Sequence, residues 1–217
     1  MKEYQTIIDE YSLEGYDMYS KTISRSEWGN LEIGEEYLRK YWLSNDDYEK
    51  KWKAIWKNVF INQSSGLPEL VFSEKFNIVA VEGGRLFVEE DFLKLQDCIR
   101  TIGDDYFLII ENDFNGALKD PMFRMKFPSD ISWKELNSGN FVSSTMLESI
   151  HKEFFVFGES GLWGKYSAND YSYPLDIIGF RPEYKELFMD KFKLADDEWS
   201  NIQNHLPVIY KETIIRP

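Results

Sequence analysis

Residues 153–180 read EFFVFGESGLWGKYSANDYSYPLDIIGF. An apolar run, Phe154 to Phe157, meets a four-residue turn, Gly158-Glu159-Ser160-Gly161. An aromatic run follows from Leu162 to Ser167, then a polar corner and another apolar run from Leu175 to Phe180. Apolar and aromatic stretches broken by glycine and asparagine turns are the grammar of antiparallel hairpins. Two glycines bracketing the turn permit the positive φ that tight connections need.

The same grammar recurs upstream. Phe76 to Val81 runs into Glu82-Gly83-Gly84 and then Arg85 to Val88. Tyr106 to Glu111 runs into Asn112-Asp113-Phe114-Asn115-Gly116, with a return strand expected from about Met122 to Phe127. Helices are expected between and around these units. Tyr48, Trp52, Ile55, Trp56 and Val59 share one helical face behind a Ser44 N-cap, which predicts a helix over 45–60. Phe92, Leu95, Ile99 and Ile102 mark a helix over 89–102 that Gly103 stops. Shorter helices are expected near Glu35–Trp42, Ser132–Leu136, after Pro182 and at Asp196–Gln203, and a last strand at Val208–Ile215. No linker divides the chain. The expectation for 1–217 is a single α+β domain, a mainly antiparallel sheet built from hairpins with helices packed against it. Residues 1–43 give the weakest pattern, because Gly15, Gly29 and Gly34 interrupt it.

Composition narrows function by exclusion. The chain holds 38 acidic and 25 basic side chains, for a net charge of −13. The charge is spread along the chain and forms no tail. Such a balance argues against free nucleic acid, whose phosphates need clustered cations. One cysteine allows no internal disulfide, and one cysteine with two histidines cannot complete a four-ligand zinc site. No apolar run approaches membrane length, and residues 1–5 lack the apolar stretch of a secretory signal. A cytoplasmic location, no cofactor and no membrane partner are the resulting expectations.

Complete catalytic motifs are missing. Glu111 to Gly116 starts like a calcium loop, but its twelfth position is Met122 rather than a bidentate glutamate. Gly158-Glu159-Ser160-Gly161 falls one residue short of a nucleophile elbow and leads into a strand rather than a helix. Cys98 adjoins a helical apolar stripe and reads as a core thiol. No catalytic residue and no metal ligand is assigned. A glycosidase-like pair among the many carboxylates keeps open an alternative: an enzyme for a carbohydrate or other small ligand.

The 159–171 cluster carries the leading expectation. Trp163 and Tyr166 lie three apart in a strand and so point to opposite faces, with Lys165 beside Trp163. If one face is core, one of these aromatics is partly exposed. Beside Glu159, Asp170 and Tyr171, such an aromatic has the composition of an interface hot spot. Binding residues are therefore expected at Glu159, Trp163, Tyr166, Asp170 and Tyr171, facing a protein partner with a basic surface.

Phe157-Gly158-Glu159-Ser160-Gly161 with Trp163 resembles an element of bacterial toxin-immunity proteins, including the SUKH-type superfamily. The resemblance is local to about 153–180. It implies a cytoplasmic, acidic, non-enzymatic domain that binds and blocks a toxin.

Overall fold

The computed structural model describes residues 31–61, 70–83, 86–112, 124–140, 142–143, 153–168 and 175–216. Among these residues six strands form one sheet: β1 (Asn77–Glu82), β2 (Tyr106–Glu111), β3 (Arg124–Pro128), β4 (Phe154–Gly158), β5 (Trp163–Ser167) and β6 (Leu175–Phe180). Their spatial order is β1-β6-β5-β4-β2-β3, and every neighbouring pair is antiparallel. The helices are α1 (Leu31–Tyr41), α2 (Asn45–Asp47, a π turn at Tyr48–Trp52, then Lys53–Val59), α3 (Glu89–Ile102), α4 (Trp133–Leu136), α5 (Lys185–Lys191, entered through a 3-10 turn at Pro182–Tyr184), α6 (Asp196–His205) and α7 (Val208–Lys211). The α+β class and the antiparallel sheet expected from the sequence are observed. Ser44 caps α2, its Oγ accepting from the Asp47 N–H at 3.1 Å.

The sheet is covered on both faces. Val79, Phe107, Ile109, Phe127, Val156, Trp163, Ile178 and Phe180 pack on one side against Leu38 of α1, Phe92, Leu95 and Ile99 of α3, and Phe188 of α5. Ile78, Leu108, Ile110, Phe155, Phe157, Tyr166 and Ile177 pack on the other against Trp52, Trp56 and Val59 of α2, Ile202 of α6 and Tyr210 of α7. Alternate residues of each strand thus enter different cores, which explains why these strands read as continuous apolar runs. Gly164 and Gly179 face each other across β5 and β6. A Cβ at Gly164 would lie 2.7 Å from Phe60 Cζ, and one at Gly179 would run into the Phe72 ring. The paired glycines form the slot in which these two rings lie on the sheet.

Two expected strands are corrected. Arg85 lies outside the described residues, and Leu86 to Val88 make no strand. Leu86 and Phe87 are buried in a connection that leads straight into α3, so β1 pairs with β6 instead of closing a local hairpin. Val208–Ile215 opens as α7 behind Pro207, whose fixed φ suits the residue before a helix. Only Ile214 keeps extended pairing, a parallel bridge to Ile78. That bridge matters for the sheet edge, because the Ile215 N–H donates to the Ile78 carbonyl at 2.9 Å. At the opposite edge, Trp42 bridges Met125 and the Leu43 N–H donates to the Arg124 carbonyl at 3.0 Å. Distant segments therefore cap both edges of the sheet.

Candidate functional site

The β4–β5 turn is built around two carboxylates. Gly161 adopts φ +66°, and its N–H donates to the Gly158 carbonyl at 3.1 Å, closing the turn. Beneath it, Asp104 accepts from the Trp163 indole N–H at 2.7 Å, from the Ser160 N–H at 2.7 Å and from the Ser160 hydroxyl at 3.1 Å. Burial still pushes the Asp104 carboxyl above its ordinary range, against these donors. Beside it, Glu159 Oε1 accepts from the N–H groups of Asp105 and Tyr106 at 2.9 and 3.2 Å, and Oε2 pairs with Lys51 at 2.6 Å. Burial pushes Glu159 upward, but Lys51 and the two backbone donors outweigh it and hold the carboxyl below its usual value.

The expected aromatic anchors are not at the surface. Trp163 and Tyr166 do point to opposite faces, yet each is 0% exposed because helices cover both faces. Neither presents a contact surface, and the expectation of a half-exposed aromatic at these positions is corrected. Asp170 and Tyr171 lie outside the described residues. Of the expected cluster, Glu159 alone is described at the surface, and it is engaged by Lys51.

A different aromatic stands there. Tyr106, the first residue of β2, is 40% exposed, and Lys126 Nζ lies 4.7 Å from its ring centroid. Its backbone is fixed by Glu159 twice, since the Glu159 N–H also donates to the Tyr106 carbonyl at 3.2 Å. Next to it, Asp105 is exposed, and its carboxylate makes no hydrogen bond or ion pair among the described residues. Sequence reasoning placed Tyr106 in a strand and went no further. The available signal was Asp104-Asp105 before that strand, polar residues that leave its first aromatic at the sheet end.

Buried polar groups elsewhere lack access. Lys165 Nζ pairs with Asp176 Oδ2 at 2.5 Å and donates to the Leu86 carbonyl at 2.8 Å. The Ser167 hydroxyl donates to Asp176 Oδ1 at 2.7 Å. The Lys165 and Asp176 side chains are 4% and 6% exposed. A lysine tied to a carboxylate and a carbonyl, beside a serine that donates to the same carboxylate, offers no free nucleophile. On the other face, Tyr166 donates to Glu153, which also accepts from Asn112 Nδ2 at 3.0 Å. Cys98 is buried, its thiol pushed up to about 12 by burial, as befits a core residue.

Open depressions are found among the described residues. One, of about 450 Å³, lies between α1 and α4 and includes Tyr37, Tyr41, Glu36 and Glu135 in its lining. Another, of about 310 Å³, is bordered by Glu82, Asp197, Glu198 and Asn201. Among the described residues no group of three or more His, Cys, Asp or Glu is placed to hold a metal, and no helix is long and apolar enough to cross a membrane. No family model matches the sequence, and no curated protein or solved structure matches it either.

Proposed function

We propose that this chain is a non-catalytic, acidic protein-binding domain that acts as a cytoplasmic immunity protein, neutralising a bacterial toxin by occluding a basic active-site cleft. The observation that carries this reading is the exposed, rigidly held Tyr106 beside Asp105, whose carboxylate has no partner among the described residues. Tyrosine on a fixed backbone offers large contact area at small entropic cost, and it is enriched among interface hot spots. The net charge of −13 steers a cationic partner toward the domain. The contact expected at 159–171 thereby moves to Asp105 and Tyr106, with Glu159 as the clamp that orders them. The proposal is tested by purifying the host protein that the domain captures and measuring its affinity for Tyr106→Ala and Asp105→Lys.

The enzyme alternative has its best place in the depression between α1 and α4, where two carboxylates meet tyrosine walls. A general acid there would need a raised pKa. Lys40 and Tyr41 instead hold Glu135 below its ordinary value. That direction favours binding over acid catalysis.

A further inference from the structure

Tyr106 is held by a chain of contacts that begins on another element. Glu159 Oε1 accepts from the Asp105 and Tyr106 N–H groups, and Oε2 pairs with Lys51 of α2 at 2.6 Å. One carboxylate thereby joins α2, the connection ahead of β2 and the β4–β5 turn. The turn is tied back twice: the Glu159 N–H donates to the Tyr106 carbonyl at 3.2 Å, and the Ser160 N–H donates to Asp104 at 2.7 Å. Residues 104–106 and 159–160 hold each other through reciprocal bonds, and Lys51 fixes the carboxylate at their centre.

The setting of Lys51 is unusual for a surface lysine. It lies in the π turn of α2, where the Lys53 N–H donates to the Tyr48 carbonyl. Such turns are rare inside helices and frequent at functional sites. Lys51 Nζ also lies 5.2 Å from the ring centroid of Trp52, a buried side chain that packs edge to face on Phe157 of β4 at 5.9 Å. Exposed ion pairs are weak partly because two long side chains must be ordered to form them. Here the Trp52 ring steadies one partner and the backbone donors to Oε1 steady the other. Glu159 is also the more sheltered of the two, 22% exposed against 52% for Lys51.

Charge alone gives Lys51 the wrong sign for an acidic binding domain. A lysine beside the contact surface repels a cationic partner, so its removal would tighten binding. The bond to Glu159 gives it the opposite effect. We infer that Lys51 is a positioning residue: through Glu159 it holds the Asp105–Tyr106 backbone in place and makes α2 part of what presents Tyr106. Its use in binding rests on the interface proposed at Tyr106, whereas the hold itself is a property of the free domain.

The first test is amide hydrogen exchange of the purified free chain, read by NMR. Lys51→Met keeps the stem beside Trp52 and removes the charge. It should speed exchange at Asp105 and Tyr106 about 5-fold, the scale of one exposed ion pair. The Gly161 amide, held by the Gly158 carbonyl, should not change. Lys51→Arg should keep the parent's rates. Lys51→Glu combined with Glu159→Lys restores an ion pair but gives the two amides no acceptor, so their exchange should stay fast. The second test is affinity for the purified host partner. Lys51→Met should weaken it about 3- to 5-fold through faster dissociation, and Lys51→Arg should bind as the parent does. Unchanged exchange at Asp105 and Tyr106 in Lys51→Met, parent-like rates in the swapped pair, or tighter partner binding by Lys51→Met would overturn the role of Lys51. A partner bound equally by the parent and Tyr106→Ala, or no partner at all, would overturn the interface instead, and the exchange rates alone then decide the role of Lys51.

Discussion

The Trp163 indole N–H donates to Asp104 Oδ2 at 2.7 Å, tying the first residue of β5 to the connection that follows α3. Both side chains are buried, so this contact couples the core to the turn that carries Glu159. Trp163→Phe should destabilise the fold by about 2–4 kcal/mol, from lost volume and a carboxylate deprived of a donor. The pH dependence has a definite sign. Burial places the Asp104 pKa above its unfolded value of 3.8, so the folded state takes up a proton first and the cost of the charge fades as pH falls. Losing the indole donor raises that pKa further. Urea midpoints should therefore show a larger deficit for Trp163→Phe at pH 7 than near pH 4.

Glu159 should behave in the opposite sense. Its folded pKa is held below the ordinary 4.5, so its contribution is present above that value and is lost as pH falls through the lowered pKa. Glu159→Gln should cost about 1.5–3 kcal/mol at pH 7, the scale of charge-assisted hydrogen bonds. The difference from the parent should shrink as pH drops below 4.5. Equal deficits at both ends of that range would mean that the charge is irrelevant to the clamp.

The Lys165–Asp176 pair yields a double-mutant signature. Lys165→Met strands a buried carboxylate and should cost about 3–5 kcal/mol. Replacing both residues, as in Lys165→Met with Asp176→Leu, should recover most of that loss, because an apolar pair of similar volume spares both desolvation penalties. Denaturant unfolding of the two singles and the double measures the coupling, and additive losses would contradict it.

The capped edge of β1 makes a further prediction. Ile215→Pro deletes the N–H that meets the Ile78 carbonyl and leaves part of that edge open. Sedimentation should show concentration-dependent self-association of this variant and much less of the parent. An unchanged distribution would mean that the terminal segment does not protect the sheet.

Elements with local signals were legible in the sequence. The Ser44 cap and aromatic stripe of α2, the stripe and Gly103 stop of α3, and the turn between β4 and β5 needed only nearby residues. The partner of β1 was not legible, since β1 and β6 lie about a hundred residues apart and pair through the whole topology. Covered faces caused the larger error. A Trp and a Tyr on opposite sides of a strand look alike whether one face or both are buried; the long apolar runs of β2 and β6 were the sign of the second case. The cleft between α1 and α4 joins residues 95 apart at Lys40 and Glu135, and no motif records such a meeting.

The central claim is tested most directly by the affinity of the purified host partner for this chain and for Tyr106→Ala and Asp105→Lys, measured at low and high salt. Each variant should bind at least 10-fold more weakly while keeping the parent's unfolding midpoint. The loss in Asp105→Lys should fall mainly on the association rate and diminish with salt. A partner bound equally well by the parent and both folded variants, or the absence of any specific host partner, would contradict the proposed interface.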